Sequence, residues 1–411
     1  MALVRPFRAI RPTPEAAGRV ASVPYDVCST EEARELAAGN EDSFLHVIRA
    51  EIDFPAGTDS HSDEVYAKGR DNLAALVERG VLEREGEASL YLYRQIMGDH
   101  SQTGLVGTFS VQEYDEGAIV KHEFTRPDKE ADRTKHVLTL GAQTGPVFLT
   151  HRPHAGLAER AAADQQRDPL FDFTAPDGVQ HTVWRVEDPA AYVGAFAEIN
   201  PLYIADGHHR SAAASNARRT RREAGELADD DASHHFLAVA FPSDQMQILP
   251  YNRLIHDLGE RTPASFLEEL AGTAGVEAIE RDAGPEPGGS DAVCVLVAGS
   301  WHRLKLSAQA DDPVSVLAPA MLQDRVLGPL LGIEDPRRDE RISFVGGIRG
   351  TGELEQRVSK GEALIAFSLP AVTTEQLIAV ADAGKVMPPK STWFEPKLRS
   401  GLLTYSLGGD Q

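Results

Sequence analysis

The densest chemical potential in the chain lies at 202–210, LYIADGHHR. A short apolar strand runs into Asp206 and Gly207 and then into an alanine-rich helix expected to begin near His208. Gly207 permits a tight turn and lets a ligand approach the backbone, and Asp206 offers a cap. The free amides of a new helix and its dipole form an anion site, to which Arg210 adds a planar fork suited to phosphate. His208 and His209 supply a further donor or a base. As neighbours they point about 100° apart around a helix, so they make no two-ligand zinc face. The competing reading is ordinary Asp-Gly turn chemistry ahead of a helix.

A second concentration lies at 121–136, KHEFTRPDKEADRTKH. Thr125-Arg126-Pro127-Asp128 predicts a helix start, with Thr125 as cap, proline in the first turn and an acid three residues after the cap. Lys129 and Arg133 then share one face, Asp128 and Asp132 a neighbouring one, and His122 and Glu123 leave the end of the preceding strand. Arg126, Lys129 and Arg133 are cations for phosphate oxygens. Asp128 and Glu130 are carboxylates for Mg²⁺, and Glu123 or Asp206 is a base for a hydroxyl proton. Phosphoryl transfer needs such a set. A solvated helix laced by ion pairs is the alternative. Two weaker signals are Lys390 and Lys397 in MPPKSTWFEPKL, which can reach an anion or belong to a segment that covers a core, and Tyr25-Asp26 with Arg5 and Arg8 near the N-terminus.

The sequence has no GxxxxGK[ST] loop, no HRD or DFG, no GxSxG elbow, no HExxH and no EF-hand loop. Any nucleotide must therefore be held by a route other than the common ones. The balance of 41 basic against 63 acidic residues, a formal charge of −22, repels polyanions, so duplex DNA and anionic membranes are not expected partners. The two cysteines, Cys28 and Cys294, have neither disulfide-framework nor zinc spacing, which fits a reducing, cytoplasmic setting. No apolar run reaches the length of a membrane span.

These residues need elements to place them. Across 411 residues the pattern is α/β (α+β) with mixed sheets. Ser29 or Thr30 caps a helix over STEEARELA, FLHVIRAEI at 44–52 alternates like a strand, and 62–85 reads as a helix. SLYLYRQIM and the text to HEF read as consecutive strands, with Asp115-Glu116-Gly117 as a hairpin turn. The stretch 152–180 reads as a polar surface excursion. Three regions are expected, 1–180, 181–285 and 286–411, packed as one large unit, with homo-oligomerisation left open.

GHHR after a strand ending in aspartate resembles the phosphate-binding box of the ParB-like and sulfiredoxin-like superfamily, which includes free-serine kinases. Over the whole chain, RPFRAIRP, VPYDV, SFLHVIRAEID, HEFTRPDKEADRTKH, YIADGHHR and MPPKSTWFEPKLRSGLL resemble the family called domain of unknown function 1015. The resemblance implies a strand-turn-helix nucleotide site and a serine-like hydroxyl acceptor. The reading is a phosphotransferase using ATP or ADP and Mg²⁺. Glu123, Asp206 and His208 are its candidate catalytic groups, and Gly207, His209, Arg210, Arg126, Lys129, Arg133 and Lys390 its binding groups. The alternatives are a nucleotide-responsive switch without small-molecule turnover, or a phosphatase of phosphoserine-like substrates.

Overall fold

The structure, a computed structural model, describes residues 4–408. It divides into two compact units, and the boundaries differ from those expected at 180 and 285. The first unit runs to Met246 and resumes at Pro396, and the second is Gln247–Glu395. The first boundary is not a Pro/Gly-rich linker, and the second falls at Pro396 at the end of MPPKSTWFEP. At the first the chain passes from one sheet into the next within a few residues, so composition carries no mark of that junction.

The first unit is built on a nine-stranded mixed sheet. In chain order its strands are β1 (Val4–Arg5), β2 (Tyr91–Met97), β3 (His100–Ser110), β4 (Ile119–Val120), β5 (Val147–His151), β6 (Phe171–Thr174), β7 (Gln180–Arg185), β8 (Leu202–Asp206) and β9 (His235–Pro242). The spatial order is β4-β8-β5-β9-β3-β2-β7-β6, with β1 beside β3. Strands β4 and β8 run parallel, as do β5 and β9, and the other pairs are antiparallel. The ends of β4 and β8 and the start of β5 thus share one edge of the sheet, which is where Glu123, His208 and Pro146 meet.

Four helices matter for the site and its surroundings: α1 (Pro127–Leu140), α2 (Ala155–Asp164), α3 (Pro189–Phe196) and α4 (His208–Glu223). The buried side of α4 is Ser211, Ala212, Ala213, Ala214 and Ala217. Small side chains let it lie close to both the sheet and α1, against which it packs. Leu149, Ile204, Phe109, Phe196 and Phe236 form the core on which these elements rest. A small four-stranded sheet ties the chain's two ends together, pairing Ala9 with Tyr405 and Ser406 with Ala142. It fixes the returning segment that carries Lys397 and Ser400.

Several local expectations are corrected. FLHVIRAEI is a helix at Leu45–Ile48 followed by a 3-10 turn at Ala50–Asp53. Its buried residues Leu45, Val47, Ile48 and Ile52 fall at helical spacings, and Arg49 closes the turn by donating to the carbonyls of Tyr25 and Cys28. Asp115-Glu116-Gly117 ends a helix, Val111–Glu116, that Ser110 caps, with Gly117 left-handed at φ 83°. Asp-x-Gly suits a hairpin and a helix C-terminus equally, because both need positive φ. The excursion at 152–180 contains α2 and β6. The helix expected over 62–85 spans Asp63–Glu78, with a strand at Leu82–Arg84. The Ser29 cap is present with its full capping box.

The second unit is a six-stranded antiparallel sheet in the order 276–280, 300–306, 292–297, 365–368, 251–255, 342–346. Phe266, Val293, Val295, Leu322 and Phe367 fill its core.

Candidate functional site

The corner after β8 is built by one backbone requirement. Gly207 is the N-cap of α4 at φ 93°, a left-handed conformation that other residues reach only with strain. A Cβ there would lie 3.0 Å from Arg210 Nε, so the glycine also makes room for the arginine. Asp206 does not cap the helix as expected. Its carboxylate accepts the Gly207 N–H at 2.7 Å and the Lys397 ammonium at 2.9 Å, and no side chain caps the first turn of α4. The amides of that turn have no side-chain acceptor.

Arg210 folds back across the corner. Nη1 donates to the Pro146 carbonyl, and Nε is buried without a hydrogen-bond partner. Such an orphan donor is costly unless something accepts from it. At the same corner both ring nitrogens of His122 and Nε2 of His208 are also buried without a hydrogen-bond partner. These histidines are 1% and 5% exposed and meet edge to face at 4.6 Å. Glu123 approaches His208 Nδ1 at 3.8 Å, with its carboxylate half exposed.

The two stretches singled out in the sequence do face each other. His209 Nε2 accepts the Arg126 backbone N–H at 3.1 Å, and Asn216 of α4 donates to Glu130 at 3.2 Å. Helix α1 begins at Pro127 with Arg126 in the cap position and no capping side chain. The expected cap, Thr125, instead donates to Glu130. On α1, Lys129 is half-buried and, among the described residues, has no ion-pair partner. Arg133 pairs with Asp132 at 2.9 Å and covers the Tyr25 ring at 4.0 Å. Arg133, Tyr25, His136, Thr144, Arg210 and Ser400 line one small cleft behind the corner. Tyr25 lines this cleft, whereas Arg5 and Arg8 lie exposed on the N-terminal segment. Lys390 belongs to the second unit, with its ammonium 5.4 Å from the Tyr251 ring.

The carboxylates chosen for Mg²⁺ do not fit a resident ion. Arg126 grips Asp128 at 2.8 and 3.2 Å, and Glu130 is held by Thr125 and Asn216. Among the described residues no three metal-type side chains converge. Sequence spacing put these acids on one helix but could not show that each already had a partner.

Charge holds Asp206 ionised. Burial opposes its ionisation, but the Lys397 and Arg210 charges and the hydrogen bonds from Lys397 and Gly207 outweigh it, holding the carboxyl well below the usual carboxylate range. So firmly ionised a group is a poor proton acceptor. It anchors Lys397 over the corner. Lys397 was recognisable only as a lysine after a rigid aromatic segment. Thr144 and Ser400 gave no signal at all.

Burial also lowers His122 to about 4 and His136 to about 3, and burial with the neighbouring His122 charge takes His208 well below its ordinary value. Their folded pKa values lie below the unfolded value, so their contribution to stability is complete above about pH 6.5 and is lost as pH falls from there through the folded values. Unfolding free energies from urea titrations between pH 7.5 and 5 are expected to drop below about pH 6.5, by up to roughly 1.4 kcal/mol per pH unit for each buried histidine. His122→Phe should remove one share of that slope. A flat profile over this range would contradict the burial of neutral imidazoles.

A family model described as "Protein of unknown function (DUF1015)" matches residues 4–324. No curated protein matches. Among solved structures, the chain is similar to a free serine kinase in complex with AMP at 15% identity and a TM-score of 0.35, covering 74% of this chain and 91% of that one. SbnI from Staphylococcus aureus, with a C-terminal truncation, is 11% identical with a TM-score of 0.38, covering 74% and 90%. A conserved hypothetical protein from Pyrococcus furiosus is 14% identical with a TM-score of 0.35, covering 72% and 93%. No helix among the described residues is long and apolar enough to cross a membrane.

Proposed function

The chain belongs to the DUF1015 family, and from that premise and the geometry of its own corner we propose that it binds a nucleoside di- or triphosphate and transfers the terminal phosphoryl group to a small hydroxylated metabolite, serine-like in size. The observation that carries this reading is the 3.1 Å bond from the Arg126 amide to His209, which sets the charged start of α1 against the uncapped start of α4. The terminal phosphates rest on the first-turn amides of α4, with Arg210 Nε and the Lys397 ammonium over their oxygens. Lys129 approaches from α1.

The acceptor hydroxyl lies against Glu123. Its oxygen forms a bond to the terminal phosphorus as the bridging P–O bond breaks, and that electron pair stays with the nucleotide's remaining phosphate. Glu123 takes the hydroxyl proton. His208, neutral and buried beside it, orients the carboxylate through Nδ1. Positioning and charge neutralisation supply most of the rate in such a loose transition state.

Incubation with ADP or ATP and a panel of small hydroxy and amino acids, read by phosphorus NMR, should show a phosphorylated acceptor. In Glu123→Gln, turnover should fall at least about a hundredfold while nucleotide affinity stays within a few fold. Full turnover in that variant would remove Glu123 as the base. Tight nucleotide binding without product from any acceptor would turn the reading to a nucleotide switch, and phosphate release from phosphoserine without nucleotide would turn it to a phosphatase.

A further inference from the structure

A second cavity, of about 540 Å³, opens at the other end of the same sheet, beyond the end of β5. Its size falls within the range of small-molecule sites. It exists because of the composition of α2. A helix that covers a sheet ordinarily fills the gap with branched side chains, but α2 presents Ala155, Ala158, Ala161 and Ala162 there, of which Ala155, Ala158 and Ala162 are exposed. The apolar walls are Leu92 and Leu105 from the sheet, Leu157 from α2 and Phe196 from α3. A void between a helix face and a sheet face suits a flat body.

Among the polar groups of the lining, which include Thr103, Gln165 and Gln245, the imidazole of His151 is deeply buried. His151 is 3% exposed, and its Nδ1 bonds to the Arg152 carbonyl at 2.7 Å. A carbonyl only accepts, so Nδ1 carries the proton and Nε2 is a lone pair. Among the described residues that nitrogen has no partner, although the ring is fixed edge-on to Phe196 at 5.4 Å. Tyr192, also on the wall, has its hydroxyl committed to Asp164 at 2.8 Å. Asp244 at the cavity's edge disfavours an anionic ligand.

We propose that this cavity binds a neutral aromatic molecule with a single N–H or O–H donor, of the indole or phenol class, the ring lying among Leu92, Leu105, Leu157 and Phe196 and the donor on His151 Nε2. The site is independent of the phosphate corner. Saturation-transfer NMR and calorimetry on the full chain would compare indole with benzothiophene, which has the same shape and no donor. Indole should bind saturably and at least about fivefold tighter, as one hydrogen bond implies. Ala158→Leu, or Ala162→Leu should the first fail to fold, should block indole, and His151→Phe should erase the preference between the two probes. Absence of saturable indole binding, or binding indifferent to a folded blocking variant, would overturn the site. Equal affinity for benzothiophene would overturn the role of His151.

Discussion

Replacing Arg210 with alanine is expected to weaken ADP or ATP binding at least about a hundredfold while leaving a folded protein. The guanidinium has one nitrogen on the Pro146 carbonyl and a second, Nε, buried with nothing to accept from it. It is packed against Gly207, where an added Cβ would lie only 3.0 Å from Nε. An anion on the α4 amides gains charge-assisted bonds from this fork, each worth about 1.5–3 kcal/mol, so losing them costs two orders of magnitude or more. The folded state loses one neutral-acceptor bond, about 1 kcal/mol. Arg210→Lys keeps the charge without the fork and should fall between the two. Calorimetric titration of the three proteins decides it, and unchanged affinity in a folded alanine variant would mean that the phosphates lie elsewhere.

The Lys397→Met variant should show the other large effect. Asp206 would then keep the Gly207 amide and the Arg210 charge but lose its ion-pair partner. Breaking a buried pair costs about 3–5 kcal/mol, and since both side chains retain some exposure we expect about 2 kcal/mol near pH 7. The sign with pH follows from the depressed folded pKa of Asp206. Its stabilisation is present above the unfolded value of about 4 and is lost as pH falls through the lower folded value, so the gap between wild type and variant should narrow on acidification. Lys397→Met combined with Asp206→Asn should recover most of the loss. Urea unfolding at pH 7 and about pH 3 tests this, and a gap that widened toward acid would reverse the assignment of Asp206 as the anchored anion.

Much of the corner was legible in the sequence because its signals are local. A strand ending in Asp-Gly, followed by an alanine-rich run, fixes where α4 starts, and the proline at 127 fixes α1 to within a residue. What could not be read was pairing. Asp128 and Glu130 looked available for a cation until Arg126, Thr125 and Asn216 proved to hold them. Lys397 reaches Asp206 across 191 positions of sequence, a separation that no spacing rule addresses. The short helix at Leu45–Ile48 was read as a strand because a few apolar residues at mixed intervals satisfy both periods, and burial on one side decided between them. Domain boundaries failed for a different reason. The first unit is closed by a segment from the far end of the chain, and composition does not change at the first crossing.

A crystal structure with bound ADP tests the central claim most directly. The terminal phosphate should lie about 3 Å from the His209 and Arg210 amides and from Arg210 Nε, with the Lys397 ammonium close by and Glu123 facing its open side. A nucleotide bound with its phosphates away from Gly207, leaving Arg210 Nε still without a partner, would contradict it.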